Sequence, residues 1–126
     1  MQKKTVVLGA SQNKERYSNM AVKKLLAYKH PVTAIGNKEG IINDIKIIKD
    51  NPSISDVDTV TLYLNPENQK PYYDYILSLH PKRIIFNPGT ENEELEKIAN
   101  KLNVEARKGN LVLASNKKIV SDGNKS

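Results

Sequence analysis

The chain of 126 residues contains no cysteine and no tryptophan, a single phenylalanine, two histidines and only six glycines. Without cysteine there can be no disulfide, no thiolate nucleophile and no cysteine metal site, a composition compatible with a reducing compartment. The shortage of aromatic rings removes the stacking platforms that hold single-stranded nucleic acid, so the net charge of +6 calls for another explanation. No apolar run approaches the length of a membrane span, and the run behind Lys3 and Lys4 is too short for a signal-peptide core. The expectation is a soluble, cytoplasmic protein that binds neither membrane nor nucleic acid.

The positive charge is unevenly spread. Residues 1–50 hold ten Lys and Arg against four Asp and Glu, residues 51–100 four against eight, and residues 101–126 six against two. The acidic middle, with Glu91, Glu93, Glu94 and Glu96, breaks the continuous basic stripe that a nucleic-acid reader would show. A chain of this length makes one domain that buries a core without staples. Residues 1–120 are expected to form it, followed by a frayed tail at 121–126.

What the chain does have is a strand, a small-residue turn and a helix at its start. Lys4-Thr5-Val6-Val7-Leu8 is a β-branched run without alternation, suited to a central parallel strand covered on both faces. From Ser18 the apolar Ala21, Val22, Leu25 and Leu26 recur at helical spacing, so the turn Gly9–Ser18 delivers N–H groups to the positive end of a helix dipole. An anion is the expected guest. The dinucleotide fingerprint G-x-G-x-x-G is incomplete, because only Gly9 is present, with Ser11 and Lys14 at the other two places. After the second strand the chain reads Gly36-Asn37-Lys38, where an NAD site would carry an acidic residue for the free ribose hydroxyls. A lysine there favours a ribose that bears its own phosphate. Coenzyme A, with its 3′-phosphate, and NADP, with its 2′-phosphate, both meet that condition.

The alternation continues. Asp58–Leu64 reads as strand three, and Asn65 caps a helix that starts at Pro66, runs to about Leu79 and turns Tyr72, Tyr73, Ile76 and Leu77 inward. Arg83–Asn87 is strand four. Thr90-Glu91-Asn92-Glu93 forms a capping box for a helix that buries Leu95, Ile98, Ala99 and Leu102 and stops at a left-handed Asn103. Val104–Ala106 is a weak fifth strand and Leu111–Ala114 a last short element. The isoleucines of Ile41–Val57 fit a helix as well as a strand pair, and this segment is expected as an irregular connection with a short helix. The fold class that follows is α/β: a Rossmann-like, doubly wound parallel sheet of about five strands in the order 3-2-1-4-5. Ligands of such sheets collect at the carboxyl ends of the strands, where Gly9–Ser18, Gly36–Gly40, Leu64-Asn65-Pro66 and Asn87-Pro88-Gly89 converge.

Gly9-Ala10-Ser11 with Arg16 and Ser18, Lys38 in its Gly-x-Lys-x-Gly turn, Tyr63-Leu64-Asn65-Pro66 and Asn87-Pro88-Gly89 together resemble the small stand-alone CoA-binding proteins. That family is similar to the N-terminal domain of the succinyl-CoA synthetase α subunit. The resemblance spans roughly residues 4–120. It implies that Gly9, Ala10, Ser11, Gln12, Arg16 and Ser18 surround the pyrophosphate and that Gly36, Asn37 and Lys38 meet the ribose phosphate. Leu64, Asn65 and Pro66 would line the adenosine side, and Asn87, Pro88 and Gly89 would form a ligand wall. Composition alone also explains Arg16 as an exposed loop charge, Asn65-Pro66 as a helix start and Asn87-Pro88-Gly89 as a tight loop. The family often carries a cysteine near the end of the fifth strand, where this chain has Asn110. The synthetase relatives use a phosphorylated histidine in a further domain, whereas His30 and His80 here precede prolines at helix exits, far from the strand ends. No catalytic and no metal-binding residue is expected.

The function implied is non-catalytic binding of coenzyme A or an acyl-CoA, as a carrier, sensor or regulatory module with an unknown protein partner, in a monomer or homodimer. One alternative is an NADP-dependent oxidoreductase or nucleotide-binding subunit, which would need a substrate-bearing region that a dimer could supply. Another is an interaction protein that uses the fold without ligand.

Overall fold

A computed structural model describes residues 3–113, so the tail expected at 121–126 lies outside the described residues. The elements in chain order are β1 (Thr5–Leu8), α1 (Tyr17–Ala27), β2 (Val32–Ile35), β3 (Gly40–Ile42), β4 (Ile45–Ile48), β5 (Thr59–Leu62), α2 (Pro66–Gln69), α3 (Tyr73–Ser78), β6 (Arg83–Phe86), α4 (Glu93–Lys101) and β7 (Glu105–Lys108). Short 3-10 turns occupy Lys70–Tyr72 and Leu111–Leu113. The strands form one seven-stranded sheet in the order β3-β4-β2-β1-β5-β6-β7. Every neighbouring pair is parallel except β3 and β4.

The Rossmann-like, doubly wound character is as expected; the strand count and order differ. The expected third strand, here β5, pairs with β1 and lies on the far side of it from β2. The place outside β2 is taken by β4, from the segment expected as an irregular connection. Ile45-Lys46-Ile47-Ile48 is β-branched and pairs along β2, while Asn43-Asp44 turns the chain tightly from β3, with Asn43 at φ 53°. The isoleucine spacing alone could not separate helix from hairpin, and the two-residue turn decides it.

Period-two alternation sends successive strand residues to opposite layers. Val6, Leu8, Val60, Leu62, Ile84 and Phe86 face Ile76 and Leu79 at α3 and Leu95 and Ala99 of α4. Val7, Ala34, Ile47 and Ile85 face Ala21, Val22 and Leu25 of α1 and Leu111 of the last turn. At roughly 25 cal/mol per Å2 of apolar surface, these two layers supply most of the favourable folding free energy.

Several boundaries move for identifiable reasons. The helix expected from Pro66 to Leu79 is interrupted at Lys70–Tyr72, because Pro71 has no N–H to donate. The cap of α4 is Asn92, whose side chain accepts from Leu95 N at 3.1 Å, and not Thr90, whose hydroxyl donates to Asn87 O at 2.7 Å. Leu102 ends α4 exposed and Ile98 is half-buried, whereas Asn103 stops the helix at φ 62° as expected.

At the amino edge of the sheet a buried polar cluster ties the strands together. Asp58 lies 3.7 Å from Lys3 Nζ and 3.8 Å from Arg83 Nε, accepts from the Thr59 hydroxyl at 2.7 Å, and Arg83 Nε donates to Thr59 Oγ1 at 2.7 Å. His30 is buried beside it, and its Nδ1 accepts from Lys3 N at 3.0 Å. Burial, reinforced by Lys3 and Arg83, holds the His30 imidazole below its ordinary pKa.

Candidate functional site

Parallel register aligns Ile35, Leu8, Leu62 and Phe86 in one row at the carboxyl end of the sheet. The residues that follow, Gly36, Gly9, Tyr63 and Asn87, therefore begin four loops side by side. The chain runs from β1 to β2 on one side and later adds β5 on the other, so the switch of direction falls at β1, under the Gly9 loop. All four segments singled out in the sequence meet at this edge. Both histidines lie at the other edge, since His30 precedes β2 and His80 precedes β6.

The Gly9 loop is docked by its first two residues. The N–H groups of Gly9 and Ala10 both donate to Ile35 O at 2.9 Å, and Gly9 sits at φ 93° with a Cβ position only 3.0 Å from the Tyr63 carbonyl. A Cβ on Gly36 would lie 2.3 Å from Ala10 O, so the loop crosses the end of β2 in direct backbone contact. Gly9, Ala10 and Gly36 thus fix the path of the loop, with two of its N–H groups already engaged.

Beyond Ala10 the loop is shaped by its own side chains. Ser11 Oγ accepts from Asn13 N at 3.1 Å, and Asn13 Oδ1 accepts from Glu15 N at 2.9 Å. Gln12 Oε1 accepts from Ile41 N at 3.2 Å and ties the loop to β3. The start of α1 has no such satisfaction: its N-cap, Arg16, makes no side-chain capping bond, its first turn holds no acidic residue, and the N–H groups of Tyr17 and Ser18 find no acceptor among the described residues. An eleven-residue helix therefore points unpaired donors and the positive end of its dipole at the crevice. Arg16, Asn37 and Lys38 are exposed around it, and Ser18 is buried.

The opposite wall is braced. Asn65 is the N-cap of α2 and accepts from Asn68 N at 2.9 Å, with Pro66 in the first helical position and Leu64 half-buried against the Gly9 loop. Asn87 is 1% exposed and fully engaged: Nδ2 donates to Thr61 Oγ1 at 2.7 Å and Leu62 O at 2.9 Å, and Oδ1 accepts from Leu111 N at 3.0 Å. Its side chain builds the wall, leaving Pro88 and Gly89 exposed at the rim. Gln69, which the sequence reading did not single out, is fully buried; its Nε2 donates to Leu64 O and Thr90 O, each at 2.8 Å, and its Oε1 accepts from Asn92 Nδ2 at 2.9 Å. One carboxamide thus joins the loops after β5 and β6. A glutamine in the first turns of a helix looks like a solvated residue in sequence, so only the fold reveals it.

Among the described residues, no group of three His, Asp or Glu side chains could hold a metal ion. None of the described helices is long and apolar enough to cross a membrane.

Residues 3–116 match the family model described as CoA binding domain. A crystal structure of an uncharacterized protein is 47% identical, with a TM-score of 0.88 over 90% of this chain and 93% of that one. A hypothetical protein from Pyrococcus horikoshii OT3 shares the fold at 22% identity and a TM-score of 0.79, over 95% of this chain and 85% of its own. An acetyl-coenzyme A synthetase 1 from Ca. Korarchaeum cryptofilum, solved with phosphate and ADP, matches at 18% identity and a TM-score of 0.65; 83% of this chain is covered but only 25% of the synthetase. No curated protein matches the sequence. The chain belongs to the CoA binding domain family.

Proposed function

We propose that this member of the family binds coenzyme A or an acyl-CoA at the carboxyl edge of its sheet, without catalysing a reaction, as a carrier, sensor or regulatory module. The observation that carries the reading is the uncapped start of α1, whose free N–H groups face the switch point of the sheet. The pyrophosphate lies against Ser11, Gln12, Arg16 and Ser18, on a path set by Gly9 and Ala10. Lys38, exposed and without a partner among the described residues, takes the ribose 3′-phosphate beside Gly36 and Asn37. Leu64, Asn65 and Pro66 line the adenosine side, and Pro88 and Gly89 close the rim above Asn87.

Thermal shift against CoA, acetyl-CoA, dephospho-CoA, ADP, NAD and NADP tests this. Ligand at a hundred times its Kd adds about 2.7 kcal/mol, which for a domain of this size raises Tm by roughly 8–15 °C. CoA and acetyl-CoA are expected to give that shift and NAD and NADP none. No shift with any CoA species would refute the reading.

A further inference from the structure

Resting on that ligand reading, we propose that Gln12 is a positioning residue whose carboxamide sets the span between the loop that meets the pyrophosphate and the turn that carries Lys38. Its Oε1 accepts from Ile41 N at 3.2 Å, a bond between residues far apart in sequence. The Ile42–Ile45 pair closes the two-residue turn of the β3–β4 hairpin, so Ile41 falls at a place in the ladder where its N–H points away from β4. Since β3 is the outermost strand, that donor has no strand partner, and Gln12 supplies the acceptor.

Gly40 makes the contact close. A Cβ there would lie 2.5 Å from Gln12 Oε1, 3.0 Å from its Cδ and 3.2 Å from its Cβ, so the glutamine side chain runs against bare strand backbone. Lys38 stands two residues earlier, in a turn anchored at both ends. At one end Gly36 N donates to Ile48 O at 3.0 Å, and at the other Gly40 pairs with Ile47 of β4. Between these anchors Asn37, Lys38 and Glu39 are exposed and make no hydrogen bond among the described residues. Ser11 and Asn13 use their side-chain oxygens within the Gly9 loop, so beyond Ala10 the hydrogen bond from this loop to the hairpin is that of Gln12.

A ligand with two separated phosphate groups binds best when the span between the groups that receive them is set before it arrives, because less ordering is then left to the binding step. Without the tie, the loop and the turn move independently. The penalty falls on a ligand that must engage both, whereas one that lacks the ribose phosphate uses the loop alone. Gln12 thus acts on selectivity for the 3′-phosphate through the placing of Lys38.

Calorimetric titration with CoA and with dephospho-CoA tests this on wild type, Gly40→Ala and Gln12→Ala, each also combined with Lys38→Ala. Wild type is expected to prefer CoA. The methyl of Gly40→Ala expels the carboxamide, and its three nearest neighbours are all atoms of Gln12, so this variant should bind CoA about threefold more weakly and dephospho-CoA as wild type does. Gln12→Ala should lower the preference for CoA by the same factor, whatever it costs the two ligands in common. Once Lys38→Ala is present, neither substitution should change the preference further. A preference unchanged in either variant, equal losses for both ligands, or a further change after Lys38 is removed would overturn the role of Gln12 and leave the ligand reading intact. A wild type that binds the two ligands equally overturns the Lys38 contact and this role with it. A wild type that binds neither overturns the ligand reading itself.

Discussion

Gly36→Ala probes the contact on which the geometry of the site depends. The new methyl would sit 2.3 Å from Ala10 O and 3.1 Å from Ile47 Cγ2, and the nearer neighbour is backbone that cannot swing aside as a side chain would. Ala10 is held by its own N–H bond and that of Gly9 to Ile35 O, so the loop can retreat only by stretching both. Two backbone hydrogen bonds at about 1 kcal/mol each, with roughly 1–3 kcal/mol of overpacking strain, give a loss on the order of 3–5 kcal/mol. For a domain of this length that lowers Tm by roughly 10–20 °C. With no tryptophan, unfolding is best followed by far-ultraviolet circular dichroism. Gly109→Ala is the control, because a Cβ there meets nothing within 4 Å. A Gly36→Ala protein that melts within about 2 °C of that control would show that the loop is not seated on β2 and would refute the reasoning.

Three further outcomes are expected. Lys38→Ala weakens CoA by about 1–2 kcal/mol and leaves dephospho-CoA unaffected, as read by parallel calorimetry, because a charge-assisted contact is lost only where the 3′-phosphate exists. Ser11→Asp keeps the fold, since its carboxylate can accept from Asn13 N as the hydroxyl does, but puts like charge where the proposed site would hold the pyrophosphate; titration should show CoA binding falling steeply while the melting curve holds. Burial holds the His30 imidazole below the ordinary histidine pKa of about 6.5 in the folded state, so the unfolded chain binds the proton first and stability is lost as pH falls below about 6.5. Melts from pH 8 to pH 5 should show this slope, and His30→Asn, which retains an acceptor for Lys3 N, should flatten it.

Much of the site was legible because its elements are written locally. A β-branched run, a glycine turn and a helical apolar stripe specify β1, the loop and α1 without reference to the rest of the chain. The left-handed stop at Asn103 and the cap at Asn65 were legible for the same reason, each being a property of one residue and its neighbours. The sheet order was not, since nothing local tells Ile45–Ile48 that it will lie beside β2 and send β5 across to the other side of β1. Nor did sequence show that Asn87 uses its whole side chain on Thr61, Leu62 and Leu111, that Gln69 bridges two loops, or that Gln12 ties its loop to β3. These depend on partners many positions away, which only the assembled fold brings into range.

The brace made by Gln69 gives the crevice two sides of unequal stiffness. On one side, Leu64 and Thr90 cannot separate without breaking bonds inside the core, so that surface acts as a rigid template. On the other, Gln12 through Arg16 are exposed and held mainly by short-range turns of their own, with the one tie from Gln12 to β3. If coenzyme A binds as proposed, selectivity for the base falls to the stiff side, where a misfit cannot be absorbed. On the same reading the pliant side would set the rate, so ligands that share an adenosine end but differ in their tails are expected to differ more in how fast they leave than in whether they are recognised.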